Sequence, residues 1–246
     1  MKNIILNYHD FKGLNSSFEK SKYTIDFEIF KLQLDSLVDL ENVPLLKLLD
    51  HSLNTEKSYS LTFDDGYKSS LDIAEELNLR NLKGTFYIIT DTLNSKKYLS
   101  KEDIKRISSL GMEIGSHSCS HRHLNRLSSN ELITELSISK KIVEDITGVS
   151  VESIAFPGGM GGKREIEFAL DCGYKICGLT RPNINNIPLI SGSVNRINIK
   201  DDINLEQYKR LIDFDKMDLF KLLARYNLLA IPKFIDSNYR QKKKNK

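Results

Sequence analysis

Short apolar segments alternate along this chain with longer segments in which apolar residues recur every three or four positions. The first pattern is typical of strands buried in a parallel sheet, and the second of amphipathic helices. The predicted strands lie at 4–8, 59–63, 84–90, 112–115, 151–156, 174–179 and 194–199. Helices are expected between them, the last one or two within 205–226. Strands separated by helices pair in parallel through right-handed crossovers, so about seven units predict an α/β barrel smaller than the eight-unit form.

Capping residues sharpen two of the predicted helices. Ser128 followed by Glu131 has the spacing of a capping box, and Gly148 is placed to end the same helix. Ser100 and Asp103 predict a second helix start, and Gly111 its end.

Polar side chains gather where the predicted strands end. His9 ends the first strand, Asp64 and Asp65 end the second, and the segments 116–121 and 157–159 follow two others. Because the carboxyl ends of parallel strands meet at one end of an α/β barrel, we expect these groups to share a site.

The residue types in that site are suited to holding a metal ion. His117 and His121 are four residues apart, a spacing that can bring both imidazoles to one ion, and Asp65 would add a carboxylate. Taken singly, each feature has a plainer interpretation: an Asp-Asp-Gly turn and a polar loop with exposed histidines. Together they form a three-ligand set with open positions, the usual arrangement of catalytic zinc.

The glycine-rich stretch 158–162 resembles a phosphate-binding loop only superficially. The position five before Gly162 is Pro157, and Arg164 stands where a Ser or Thr is required. We interpret it as a flexible loop in which the backbone approaches a ligand. Tyr67, Phe86 and Tyr87 are candidates either for a sugar subsite or for packing.

Composition narrows the function classes. Of 246 residues, 40% are hydrophobic and 28% charged, with a net charge of +3, which does not favour nucleic acid as a partner. Three cysteines without CxxC spacing argue against a disulfide framework and fit a reducing compartment. No apolar run is long enough for a signal peptide core or a bilayer span, so a cytoplasmic location is expected. The basic stretch 240–246 is expected to be a solvated tail, or else a weak contact to a membrane surface.

Four segments resemble the motifs of the polysaccharide deacetylase family, the NodB-type homology domain. They are LTFDDGY at 61–67, HSxxH at 117–121, AFPGG at 155–159 and DxGY at 171–174. Their order and spacing match over roughly residues 1–199. The resemblance implies a distorted (β/α)7 barrel, NodB-like, with a divalent metal, most often Zn²⁺, held by Asp65, His117 and His121.

The same resemblance implies roles for the remaining site residues. Asp64 would be the general base, and the Gly158 N–H after Pro157 would help to bind the oxyanion. Tyr67, at the end of the first motif, is included among the substrate contacts.

Two departures from the family pattern concern the catalytic machinery. Ala155 stands where many members carry an Arg that pairs with the base, and no histidine follows His123 to supply the general acid. A circularly permuted branch, which includes deacetylases of poly-N-acetylglucosamine-type polymers, supplies the acid from the first strand. Tyr8-His9-Asp10 resembles that motif, so His9 would be the acid. Arg196 would replace the missing Arg, although a surface ion pair is the plainer interpretation of that residue.

The expected function is metal-dependent removal of N-acetyl groups from an amino-sugar-containing carbohydrate. The alternatives are a deformylase or other C–N hydrolase acting on a lipid-linked or nucleotide-linked sugar, and a non-catalytic carbohydrate-binding homologue. We expect a catalytic domain over 1–200, a helical segment over 201–238 packing on the barrel, and a basic disordered tail over 239–246.

Overall fold

The computed structural model describes residues 1–14, 21–189 and 192–228. The strands are β1 (Lys2–Tyr8), β2 (Asp10–Lys12), β3 (Thr24–Asp26), β4 (Glu41–Asn42), β5 (Lys57–Phe63), β6 (Thr85–Ile88), β7 (Glu113–Ser116), β8 (Ser153–Ala155), β9 (Ile176–Leu179), β10 (Asn185–Asn186), β11 (Ser193–Asn195) and β12 (Ile197–Asn198). The helices are α1 (Phe27–Asp35), α2 (Ser70–Leu79), α3 (Lys101–Ser109), α4 (Ser129–Thr147), α5 (Lys163–Asp171) and α6 (Leu205–Ile212), followed by a helix over 216–228.

The main sheet is almost entirely parallel and curls into a barrel. Strands β1, β5, β6, β7, β8, β9 and β11 follow one another in the sheet, β11 pairs in parallel with β9, and β12 pairs in parallel with β1. The strand predicted at 194–199 is therefore two short strands that link the two sides of the sheet across Arg196. Only β10 runs antiparallel among the strands described in this sheet. The predicted distorted (β/α)7 barrel is confirmed.

Capping residues start the surrounding helices where the sequence predicts. Ser128 and Glu131 form a reciprocal capping box at α4, and Ser100 with Asp103 does the same at α3. Gly148 ends α4 with a φ of 73°, a left-handed conformation that glycine adopts without steric cost.

An aromatic core supports the first two parallel strands. Tyr8 stacks on Phe63 with ring centroids 5.7 Å apart, and Phe63 stacks on Phe86 at 4.6 Å. Strands β1 and β5 pair along their whole length, from Lys2 opposite Lys57 to Tyr8 opposite Phe63. This register brings the ends of the two strands, and therefore His9 and Asp64, side by side.

Helix α6 lies against α1. Tyr208 of α6 is fully buried, and its hydroxyl is 3.2 Å from that of Tyr8. The expected helical segment over 201–238 is described only as far as 228, and the expected tail over 239–246 lies outside the described residues; the domain boundaries stay a prediction. No helix in the described ranges is both long and apolar enough to cross a membrane.

Candidate metal centre and active site

Asp65, His117 and His121 converge at the carboxyl end of the barrel. Asp65 follows β5, and the two histidines lie in the loop after β7. Asp65 Oδ1 is 3.3 Å from His117 Nε2 and 3.4 Å from His121 Nε2. One ligand atom from each residue lies within 4.8 Å of the others. The structure thus brings together the three residues that the sequence predicts as ligands.

The chemistry of this cluster fits a cation. His117 Nδ1 is 2.8 Å from the Ala155 carbonyl oxygen, which can only accept, so this nitrogen carries the proton. If the ring is neutral, the lone pair of Nε2 faces Asp65 Oδ1. These two electron-rich atoms repel each other unless a positive charge lies between them. Burial lowers the pKa of His117, but Asp64 and Asp65 outweigh it and raise that pKa overall. Zinc prefers this donor set, and a backbone carbonyl commonly orients the ligand histidine from behind.

The backbone of the two loops that carry the candidate ligands is unusual. Asp65, Ser118 and His121 have φ values of 75°, 64° and 59°, in the left-handed region that non-glycine residues seldom adopt. The Ser118 hydroxyl accepts a hydrogen bond from the His121 N–H at 3.1 Å. Such conformations persist only where surrounding contacts impose them, and they concentrate at functional sites.

Glu135 of α4 supplies much of that constraint. Its carboxylate is 4% exposed and accepts hydrogen bonds from the N–H groups of Cys119 and Ser120, at 2.8 and 2.9 Å. These bonds clamp the middle of the loop whose two ends carry His117 and His121.

Asp64 is held as a carboxylate beside the cluster. It is 2% exposed and receives two hydrogen bonds from Arg196, at 2.7 and 3.0 Å, and one from Asn7 Nδ2 at 2.9 Å. Burial favours the neutral acid, but the charge of Arg196 and then of the nearby histidines outweighs it, so the pKa of Asp64 lies well below its usual range. Asp64 is therefore ionised at neutral pH, which is the form that can accept a proton.

Arg196 reaches Asp64 from the break between β11 and β12. It is fully buried, and its guanidinium lies 5.2 Å from the centre of the Tyr87 ring. A Cβ on Gly178 would come within 2.8 Å of Arg196 Nε, so only glycine leaves room for this side chain. The plainer interpretation of Arg196, a surface ion pair, is wrong.

His9 lies on the other side of Asp64. Its Nε2 is 3.9 Å from Asp64 Oδ2, and its ring lies 4.6 Å from that of Tyr23. Burial lowers the pKa of His9, and the carboxylate of Asp64 offsets this only in part. His9 Nδ1 is buried and makes no hydrogen bond to the described residues. The ring is thus contacted by Tyr23 on one side and approaches Asp64 through Nε2.

The remaining predicted contacts line the same end of the barrel. Gly158 follows Pro157 with a φ of 66°, and a Cβ on it would come within 2.5 Å of His123 Cε1. The Tyr67 ring stacks on Tyr98 at 5.2 Å, and burial, then the charge of Asp65, raises the pKa of Tyr67.

The other two aromatic candidates belong to the interior. Phe86 and Tyr87 are fully buried, so of the two interpretations left open for them, packing is correct.

Several residues that hold the site escaped sequence reasoning. Asn7 hydrogen bonds to Asp64, Arg196 and Asn198, yet in the sequence it is only a polar interruption of an apolar strand. That interruption was the available signal, since a buried polar residue needs partners. Glu135, Tyr23 and Gly178 carry no comparable signal.

Comparison with known proteins identifies relatives of this chain. Residues 52–177 match the family model described as polysaccharide deacetylase. YxkH of Bacillus subtilis, named as a polysaccharide deacetylase, is 28% identical over 138 residues, covering 56% of this chain and 50% of YxkH. The peptidoglycan-N-acetylglucosamine deacetylase PgdA of Listeria monocytogenes is 30% identical over 139 residues, covering 56% and 28%. The chain thus spans half or less of these curated relatives.

Solved structures show the same fold over most of the chain. The deacetylase PplD of Streptococcus pyogenes, solved in complex with acetate, superposes with a TM-score of 0.77 at 23% identity, covering 87% of this chain and 97% of PplD. IcaB from Ammonifex degensii superposes with a TM-score of 0.72 at 18% identity, covering 87% and 96%. Because the family model matches just over half of this chain, the chain belongs to the polysaccharide deacetylase family.

Proposed function

We propose that this chain is a metal-dependent hydrolase that removes N-acetyl groups from an amino-sugar-containing carbohydrate. One observation carries the proposal: the buried Asp64–Arg196 pair lies beside the Asp65, His117 and His121 cluster, with His9 3.9 Å from Asp64. The residues that we propose as base, acid and metal ligands thus lie together at one end of the barrel. The names of the relatives, which include N-acetylglucosamine deacetylases, support the choice of bond.

Asp65, His117 and His121 would hold a divalent cation, and their donor set favours Zn²⁺. When bound, such an ion polarises a carbonyl group and lowers the pKa of water at the site.

Asp64 is proposed as the general base. It takes a proton from water as the water oxygen attacks the acetyl carbonyl carbon. Arg196 keeps Asp64 ionised and, through two hydrogen bonds, fixes the direction of its free lone pairs. Arg196 is therefore a positioning residue that replaces the arginine missing at Ala155.

His9 is proposed as the general acid. It gives a proton to the departing nitrogen as the C–N bond breaks, which yields acetate and a free amine. The Gly158 N–H is proposed to stabilise the negative charge that develops on the carbonyl oxygen, with Pro157 and Tyr67 forming part of the substrate contact.

The decisive assay measures acetate release from N-acetylated glucosamine oligomers with added zinc. Asp64→Asn and His9→Ala are each expected to lower kcat by about 10²-fold or more, because each removes one proton-transfer group. Asp39→Asn and His51→Ala make the same chemical changes at exposed positions and are expected to leave kcat unchanged.

Three results would contradict the assignment in different ways. Wild-type rates in both site variants would remove Asp64 and His9 from the mechanism. Release of formate from a formylated sugar, with no acetate from acetylated ones, would identify a deformylase. Sugar binding without turnover by the zinc-loaded chain would identify a binding homologue.

A further inference from the structure

The helix over 216–228 exposes a continuous apolar stripe. Met217, Phe220 and Leu228 are 64%, 67% and 69% exposed. Together with Ala224 they follow a spacing of three, four and four residues, which places them on one face at 100° per residue. The opposite face is used differently, since Leu219 is buried in the protein core. The helix thus packs one apolar face against the protein and exposes a second apolar face to solvent. Such an exposed apolar face is typical of a binding surface.

Basic residues flank this stripe on both sides. On the helical wheel Lys216 lies along one edge, and Lys221 and Arg225 lie along the other. The two ion pairs that these cations make, Lys221 with Asp218 and Arg225 with Asp202, are at the surface. Exposed pairs contribute little, so both cations can exchange their carboxylates for other anions.

The sequence that follows adds charge of the same sign. Residues 229–246 contain six basic residues and one acidic residue. We propose that the helix over 216–228 docks on an anionic phospholipid bilayer, its apolar stripe entering the interface and its flanking cations contacting the headgroups. An apolar stripe bordered by Lys and Arg is the pattern of helices that lie in the membrane plane. A protein partner or a second copy of this chain would not require cations on both borders.

The two ends of this helix lie near opposite ends of the barrel. Arg225 pairs with Asp202, and the neighbouring Asp201 N–H donates to the Lys22 carbonyl at 3.0 Å. This turn lies next to Tyr23, the residue packed on His9. The C-terminal end of the helix is therefore near the catalytic end of the barrel, whereas Phe214, just before the helix, lies near Lys57 at the opposite end of β5.

The test is co-flotation of the full chain with vesicles of phosphatidylcholine alone or with about one third phosphatidylglycerol. We expect binding to the anionic vesicles only. Phe220→Ser should weaken it about tenfold, since a large apolar side chain is removed. Each of Lys216→Gln and Lys221→Gln should weaken it about fivefold. Leu79→Ser removes an equally exposed apolar side chain, 78% accessible, from α2 and should bind as wild type.

Other outcomes would overturn the proposal. Flotation with neither vesicle type, or equal losses in Phe220→Ser and Leu79→Ser, would exclude specific docking. A dimer in solution that Phe220→Ser dissociates, without vesicle binding, would assign the stripe to a second copy. If the chain does not float and Phe220→Ser lowers the melting temperature more than Leu79→Ser does, the stripe would instead be covered by residues 229–246.

Docking does not depend on the proposed chemistry. Asp64→Asn is expected to float as wild type while releasing acetate at least about 10²-fold more slowly, so the two proposals fail separately.

Discussion

Replacement of Arg196 by glutamine tests whether this side chain holds Asp64 in its ionised form. Arg196 is fully buried and makes hydrogen bonds of 2.7 and 3.0 Å to Asp64. Removing one partner of a buried ion pair typically costs about 3–5 kcal/mol, because the other charge is left uncompensated. Asn7 remains bonded to Asp64, so we expect a value near the lower end, with a fall in kcat of about 10²-fold.

A double-mutant cycle separates the pair from the two side chains. Asp64→Asn alone leaves the guanidinium buried without its carboxylate, whereas the double variant removes both charges. The double variant should therefore lose about 2–3 kcal/mol less than the sum of the single variants. Urea unfolding followed by circular dichroism measures all three, and Arg80→Gln, which breaks the partly exposed pairs of Arg80 with Asp35 and Glu76, should cost less than about 1 kcal/mol. Additive losses, or a loss for Arg196→Gln no larger than for Arg80→Gln, would refute the reasoning.

Three further predictions address the loops and the metal. Gly158→Ala places a Cβ on a left-handed backbone and against His123. It should therefore lose more stability than Gly148→Ala, where the Cβ has open space and only backbone strain of about 1–2 kcal/mol applies. Equal losses of the two variants in thermal unfolding would contradict the contact with His123. Free Zn²⁺ at about a hundred times its Kd should raise the free energy of unfolding by about 2.7 kcal/mol. His121→Ala should lose most of this stabilisation. If zinc raises the melting temperature of the variant as much as that of the wild type, His121 is not a zinc ligand. Glu135→Ala should weaken zinc binding about tenfold in calorimetric titration, because the N–H groups of Cys119 and Ser120 lose their acceptor, and wild-type affinity would show that the loop holds itself.

Local patterns in the sequence were sufficient for most of the elements and for the inventory of the site. The capping boxes at Ser100 and Ser128 marked two helix starts, and both are present. The strand-end positions of His9, Asp64 and Asp65 predict that these residues lie at one end of a parallel barrel. This works because capping and strand burial depend on residues close in sequence, and a parallel sheet puts all strand ends of one kind together.

Tertiary structure decided how those residues act. The sequence left Arg196 between a surface ion pair and a replacement for the arginine missing at Ala155. Burial in the gap between β11 and β12, beside Gly178, places it on Asp64. The clamp from Glu135 and the packing of Tyr23 on His9 likewise join residues far apart in the chain. Contacts of this kind depend on how strands and helices pack together in space, and no short pattern along the sequence encodes that packing.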